Sequence, residues 1–170
     1  VHLDRRSTLA AAVTTRQACE AAGVRALFFN VNAIDAERRR EVLDALAEFC
    51  PPGALRLLFH SLAFGSLAPL VGTGPEGSAR QAQVAMTLDV MANSLVLWTQ
   101  ECVWRDLLGS QSRVLAMTSA GSTRALPAYG MVSAAKAALE AYVRQLALEL
   151  GPRGIAVNAI RAGVTDTAAL

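Results

Sequence analysis

Apolar and polar positions change period along this chain, and each change marks an element. "VHLD" at its start reads as a strand end, and the stretch 8–23, "TLAAAVTTRQACEAAG", has the spacing of an amphipathic helix closed by Gly23. "VRALFFNV" (24–31) reads as a strand. Asp35 is placed to cap a helix over "AERRREVLDALAEFC", which Pro51 and Pro52 stop. The apolar run "ALRLLFHSLAF" (54–64) suits a strand covered on both faces, and "VGTGPEGSARQ" (71–81) has loop composition. A long helical pattern spans 82–108, then come the strand "RVLAMTSA", a helix ending at Leu150 before Gly151-Pro152, and the strand "IAVNAI". Alternating strands and helices predict one domain over 1–170. Its fold class is α/β, a doubly wound, Rossmann-like parallel sheet with helices on both faces.

Composition adds mainly exclusions. With 170 residues, 53% hydrophobic and 18% charged, the chain can bury a core. Its net charge of +2 argues against nucleic acid or a membrane surface as partner, and the basic run "ERRRE" (37–41) reads as a solvated helix face. Cys19, Cys50 and Cys102 are too few and too scattered for zinc or a disulfide framework, so no metal is expected and a cytoplasmic location is. No apolar run approaches the roughly 20 residues of a membrane span.

The chemistry concentrates on the helix "LPAYGMVSAAKAALEAY" (126–142). Tyr129 and Lys136 stand almost two turns apart, on one face and about 10 Å apart along the axis. A phenol is a weak acid-base group at neutral pH unless a cation favours its ionised form, and Lys136 is placed to supply one. Ligands of such sheets bind beyond the carboxyl ends of the strands. There the chain carries Asp4, Asn30, Asn32, His60, Ser61, Thr118, Ser119 and "RAGVTDT", and the Ser119 hydroxyl is placed to face Tyr129.

Ser119, Tyr129 and Lys136 in this order resemble the short-chain dehydrogenase/reductase family. Most of its members need lysine at position 133, where this chain has Ser133. The wider Tyr-x6-Lys spacing resembles the divergent branch containing bacterial enoyl-acyl carrier protein reductases. "FHSLAF" (59–64), "ALPAY" (125–129) and "GPRGIAVNAIRAGVTDT" (151–167) resemble that branch as well.

The resemblance implies a nicotinamide-dependent reductase acting on the double bond of a trans-2-enoyl thioester of acyl carrier protein or coenzyme A. Tyr129 would polarise the substrate carbonyl with Ser119 beside it, and Lys136 would hold the nicotinamide ribose. Ser61, Leu62, Ala63 and Thr118 would line the cofactor, and Gly163, Thr165 and Thr167 its carboxamide and phosphates. Asp4 at the adenosine ribose favours NADH, while Arg5 beside it would suit NADPH. Asn32, or Asn30, would stand in for the usual aspartate near the adenine, since Val31 occupies its place. Ser119 replaces a customary second tyrosine and Val164 a customary proline, and Asn93 lies two residues from the usual helix asparagine.

No glycine-rich turn follows a first strand, so the chain is expected to be a fragment incomplete at both ends and inactive when isolated; "GTGPEG" (72–77) is no replacement for that turn. Two alternatives stay open: a ketone or 3-ketoacyl thioester reductase, and a non-catalytic truncated chain or oligomerising module. Surplus apolar residues on the helices 82–108 and 129–150, Trp98 and Trp104 among them, predict a homo-oligomer, in the family resembled a homotetramer.

Overall fold

A computed structural model of the chain describes residues 6–163, in two compact units, Val1–Val42 and Leu43–Leu170. The strand expected in "VHLD" lies outside the described residues.

The first unit opens with helix α1 (Arg6–Ala21). Its end follows from Gly23, whose φ of 72° is open to glycine at no steric cost. The Gly23 and Val24 amides donate back to the carbonyls of Glu20 and Cys19, at 3.0 and 2.9 Å, and so close the last turn. Residues 24–31 do not form the expected strand. Their apolar pattern is strand-like, but a strand exists only with a ladder partner, and the described three-stranded sheet does not include them. Helix α2 (Ala36–Phe49) starts where Asp35 Oδ1 accepts the amides of Glu37 and Arg38 at 3.0 and 3.1 Å. Arg38 pairs with Glu41 at 2.7 Å on its exposed side, the solvated face expected of that run.

The second unit holds a three-stranded parallel sheet of β1 (Leu57–His60), β2 (Arg113–Thr118) and β3 (Ala156–Arg161), in that spatial order. His60 pairs with Ala116, and Thr118 with Arg161. Both connections run through helices, as parallel pairing demands. The first passes α3 (Gln81–Leu88), a π-helical turn at Asp89–Asn93 and α4 (Ser94–Trp104); the second is α5 (Gly130–Leu150). The helix expected over 82–108 therefore ends at Trp104. Asp106, at φ 53°, reverses the chain, and Leu107 N–H closes back on the Cys102 carbonyl at 2.9 Å. Leu107 and Leu108 prolong the apolar pattern because they turn into the core rather than along a helix.

That core joins Leu95, Val114, Ala116, Ala135, Leu139 and Ile155, with Leu43 from the second half of α2. Helix α5 lies against β2, β3, α3 and the π turn, so its buried stripe of Val132, Ala135, Lys136, Leu139 and Val143 recurs at helical spacing. One member of the stripe is a lysine.

Candidate functional site

The carboxyl ends of β1 and β2 meet the first turns of α5, and the site is assembled there. Lys136 is only 5% exposed. Its ammonium donates to the Met117 carbonyl at 2.8 Å and, more weakly, to the Leu62 carbonyl at 3.4 Å. Burial pushes this lysine below the usual ammonium range, because a desolvated charge is costly. The lysine thus bridges β2 to the segment that follows β1.

Tyr129 precedes α5, and its carbonyl accepts the first α5 hydrogen bond, from Ser133 N–H at 2.8 Å. It is partly buried, and its ring lies over Gly121, where an added Cβ would stand 2.6 Å from Cε1 and 3.3 Å from Ser119 Oγ. Ser119 and Tyr129 are therefore brought together around a glycine that leaves room for both. Ser119 Oγ accepts the Gly121 amide at 3.3 Å, and Ser122 Oγ donates to the Ser119 carbonyl at 2.9 Å, which folds Ala120–Ser122 into a 3-10 turn. Ala128, just ahead of the tyrosine, sits at φ 56°, a left-handed conformation a non-glycine residue adopts only when held. Ala68 N–H holds its carbonyl at 3.1 Å.

Glu140, one turn beyond Lys136, carries more of the site than its place in the sequence announced. Its Oε1 accepts from Thr118 Oγ1 at 2.7 Å and lies 3.5 Å from Arg161, which ties the ends of β2 and β3 to α5. Partial burial works to raise its carboxyl, but the hydrogen bond from Thr118 and the charge of Arg161 outweigh it and hold it below the usual range. Helical spacing from Lys136 was the available signal. Thr118, expected along the cofactor, commits its hydroxyl proton to this carboxylate.

Of the other expected residues, Ser61 and Ala63 are exposed directly after β1, and Gly163 is exposed two residues beyond β3. Asn32 belongs to the first unit, where its side chain accepts the Ile34 amide at 3.3 Å in a local turn. Asp4, Arg5, Thr165 and Thr167 lie outside the described residues. Asn93 sits in the π turn, donating to Asp89 and accepting from Tyr142 at 2.8 and 2.9 Å. A depression of about 530 Å³ opens beside the 121–128 loop, but neither Tyr129 nor Lys136 lines it, so it is not where their chemistry meets.

Whether a nicotinamide cofactor fits can be judged from the donors. An ammonium has three protons, two of which reach carbonyls here, and the third is a donor suited to a ribose hydroxyl. The pyrophosphate has no such cradle among the described residues. In the Gly72–Gly77 turn, Gly72 N–H goes to Ser78 Oγ at 2.9 Å and Gly77 N–H to Gly74 O at 3.1 Å, and a Cβ on Gly72 would strike Gly77 O at 2.2 Å. Both amides are thereby taken. No group of His, Cys, Asp and Glu suited to a metal occurs among the described residues, and no described helix is long and apolar enough to cross a membrane.

Compared with known proteins, residues 3–170 match the family described as enoyl-(acyl carrier protein) reductase. The chain belongs to that family. A relative named enoyl-[acyl-carrier-protein] reductase [NADH] FabI, from Nostoc sp., is 35% identical over 143 residues, covering 84% of this chain and 53% of its own length. A FabI named for NADPH, from Staphylococcus aureus, is 34% identical over 135 residues, 79% of this chain and 51% of its own. Among solved structures, a short-chain dehydrogenase from Burkholderia cenocepacia in complex with NADP superposes with a TM-score of 0.79 at 27% identity, covering 92% of this chain and 60% of its own. The enoyl-reductase family thus supplies the Rossmann-like fold expected, and this chain spans about half the length of the curated relatives it matches.

Proposed function

We propose that the chain carries the catalytic side chains of a nicotinamide-dependent reductase of trans-2-enoyl thioesters borne by acyl carrier protein or coenzyme A. The observation that carries this reading is the buried Lys136 ammonium at the strand ends, on the helix α5 whose N-cap is Tyr129. When bound, the nicotinamide supplies a hydride to the β-carbon of the enoyl group. Tyr129 donates a hydrogen bond to the thioester oxygen and so stabilises the negative charge that develops there as an enolate. Lys136 lends its field to the phenol and binds the ribose hydroxyls, and a proton then reaches the α-carbon. The test is reduction of a crotonyl thioester by the full-length protein. Tyr129→Phe is expected to lose about 100-fold in kcat, the scale of one lost acid group, and unchanged turnover would remove Tyr129 from the reaction.

Ser119, seated beside Gly121 and Tyr129, favours a second reading, reduction of a 3-ketoacyl thioester. Acetoacetyl and crotonyl thioesters compared at equal concentration separate the two. NADH is the favoured cofactor, on the carboxylate of Asp4, and kinetics with both cofactors decide it. We further propose a cytoplasmic homo-oligomer, a tetramer, formed through the helices 82–108 and 129–150. Trp104 on α4 and Leu148 on α5 are 71% and 72% exposed, whereas Trp98 packs against the core. Trp104→Glu is expected to lower the mass seen by light scattering.

A further inference from the structure

His60 closes β1 and is 7% exposed, yet the chemistry above makes no use of it. Its Nε2 lies 2.8 Å from Ser94 Oγ, and the two atoms could share a proton either way. Ser94 settles the direction. Its one hydroxyl proton goes to the Val90 carbonyl at 2.7 Å, so the serine oxygen can only accept, and Nε2 must carry the hydrogen. In a neutral ring the other nitrogen, Nδ1, is then a bare acceptor. That atom is buried and meets no hydrogen-bond donor of the described protein. Buried acceptors of this kind are satisfied almost without exception, by water where protein does not reach them.

Lys136 is the neighbour that matters. Its two carbonyl partners bracket His60: Leu62 lies two residues along the chain, and Met117 follows Ala116, the ladder partner of His60. The Lys136 charge is felt at the imidazole and, after burial, is the second cause of its low pKa; Ser94 is the neutral group on its other side. A single water has the right polarity to join the pair, accepting the ammonium proton that reaches the Leu62 carbonyl only weakly, at 3.4 Å, and donating to Nδ1, which leaves the third proton for the ribose. We propose that His60 holds such a buried water on Nδ1 and through it fixes the Lys136 ammonium, so that His60 is a positioning residue for the lysine. The proposal rests on the assignment of Lys136 to the cofactor ribose.

Two measurements on the unaltered chain do not depend on turnover. In ¹⁵N-histidine-labelled protein, with His2 assigned by substitution, His60 is expected as the neutral Nε2–H form from pH 8 to 5. An Nδ1–H tautomer would overturn the proposal, and so would a ring already cationic at pH 6. A high-resolution crystal structure is expected to show a water within hydrogen-bond distance of both Nδ1 and Lys136 Nζ, and a dry contact at Nδ1 would overturn it.

In the full-length enzyme, two variants divide the ring's roles. His60→Gln keeps a donor for Ser94 but loses the acceptor at the Nδ1 position; His60→Asn does the reverse. The expectation is that His60→Gln melts near the wild-type temperature but loses about tenfold in kcat, the worth of one hydrogen bond to a charged group, while His60→Asn melts lower and keeps its kcat. If kcat simply followed melting temperature in both, His60 would be structural only. Should Tyr129→Phe prove fully active while the tautomer and the water are as described, the reading of the reaction fails and the His60 site stands.

Discussion

Burial of His60 makes a quantitative claim about acid stability. Desolvation, helped by the Lys136 charge, lowers its pKa from 6.5 to about 4. Above pH 6.5 the ring is neutral in both folded and unfolded chains, and the shift contributes nothing to stability. As pH falls, the unfolded chain takes up a proton that the folded ring refuses, so stability is lost through the window from about 6.5 down to about 4 and then levels. Linkage gives a full loss of about 3 kcal/mol, of which about 2 kcal/mol has gone by pH 5. The perturbation is His60→Gln, which keeps the donor to Ser94 and cannot titrate. Urea unfolding at pH 7.5, 6, 5 and 4.5 gives the free energy of each protein, and the quantity of interest is how their difference changes with pH. The wild-type chain should fall by about 2 kcal/mol more than the variant between pH 7.5 and 5. Curves that run parallel, within about 0.5 kcal/mol, would refute the reasoning, because the carboxylates common to both cancel in the comparison.

Two further outcomes can be stated. Burial first, then Glu101, pushes the Cys102 thiol up to about 12 against the opposing pull of Arg105, so a thiol reagent at pH 8 should modify the half-buried Cys19 and Cys50 and spare Cys102 until the chain unfolds; fast reaction of all three would contradict the packing. Glu140→Gln should lower stability by about 1–2 kcal/mol in urea unfolding, since Thr118 and Arg161 lose a charged acceptor, and an unchanged midpoint would show that the strand ends are held without it.

What could be seen in the sequence was local. Asp35 and Gly23 announce helix ends because the amides they govern lie within a turn, and Tyr129 and Lys136 share a face by arithmetic alone. The family's motifs carried the reductase reading further than spacing did. What stayed hidden depends on partners far along the chain. The Lys136 ammonium reads as exposed until the carbonyls of Leu62 and Met117, 74 and 19 positions away, close on it. His60 and Ser94 are 34 positions apart, and no pattern on either stretch pairs them. Residues 24–31 show the limit of sequence pattern in the other direction: their apolar run is strand-like, but pairing belongs to two segments and cannot be read from one.

The π turn at Asp89–Asn93 bears on how the chain tolerates changes of length. Such a turn stores one residue more than an α-helical turn needs. Deleting a single residue from 90–92 would let the helix close up as an ordinary α-helix, with Leu95, Thr99 and Cys102 still facing the core. The same deletion inside α4, ahead of Thr99, would swing everything after it by about 100° and put Gln100 where the buried Thr99 now packs. Among the described helices this is the place with slack, so length variants of homologous chains should collect there, and an insertion tag placed elsewhere in α3 or α4 should not be tolerated.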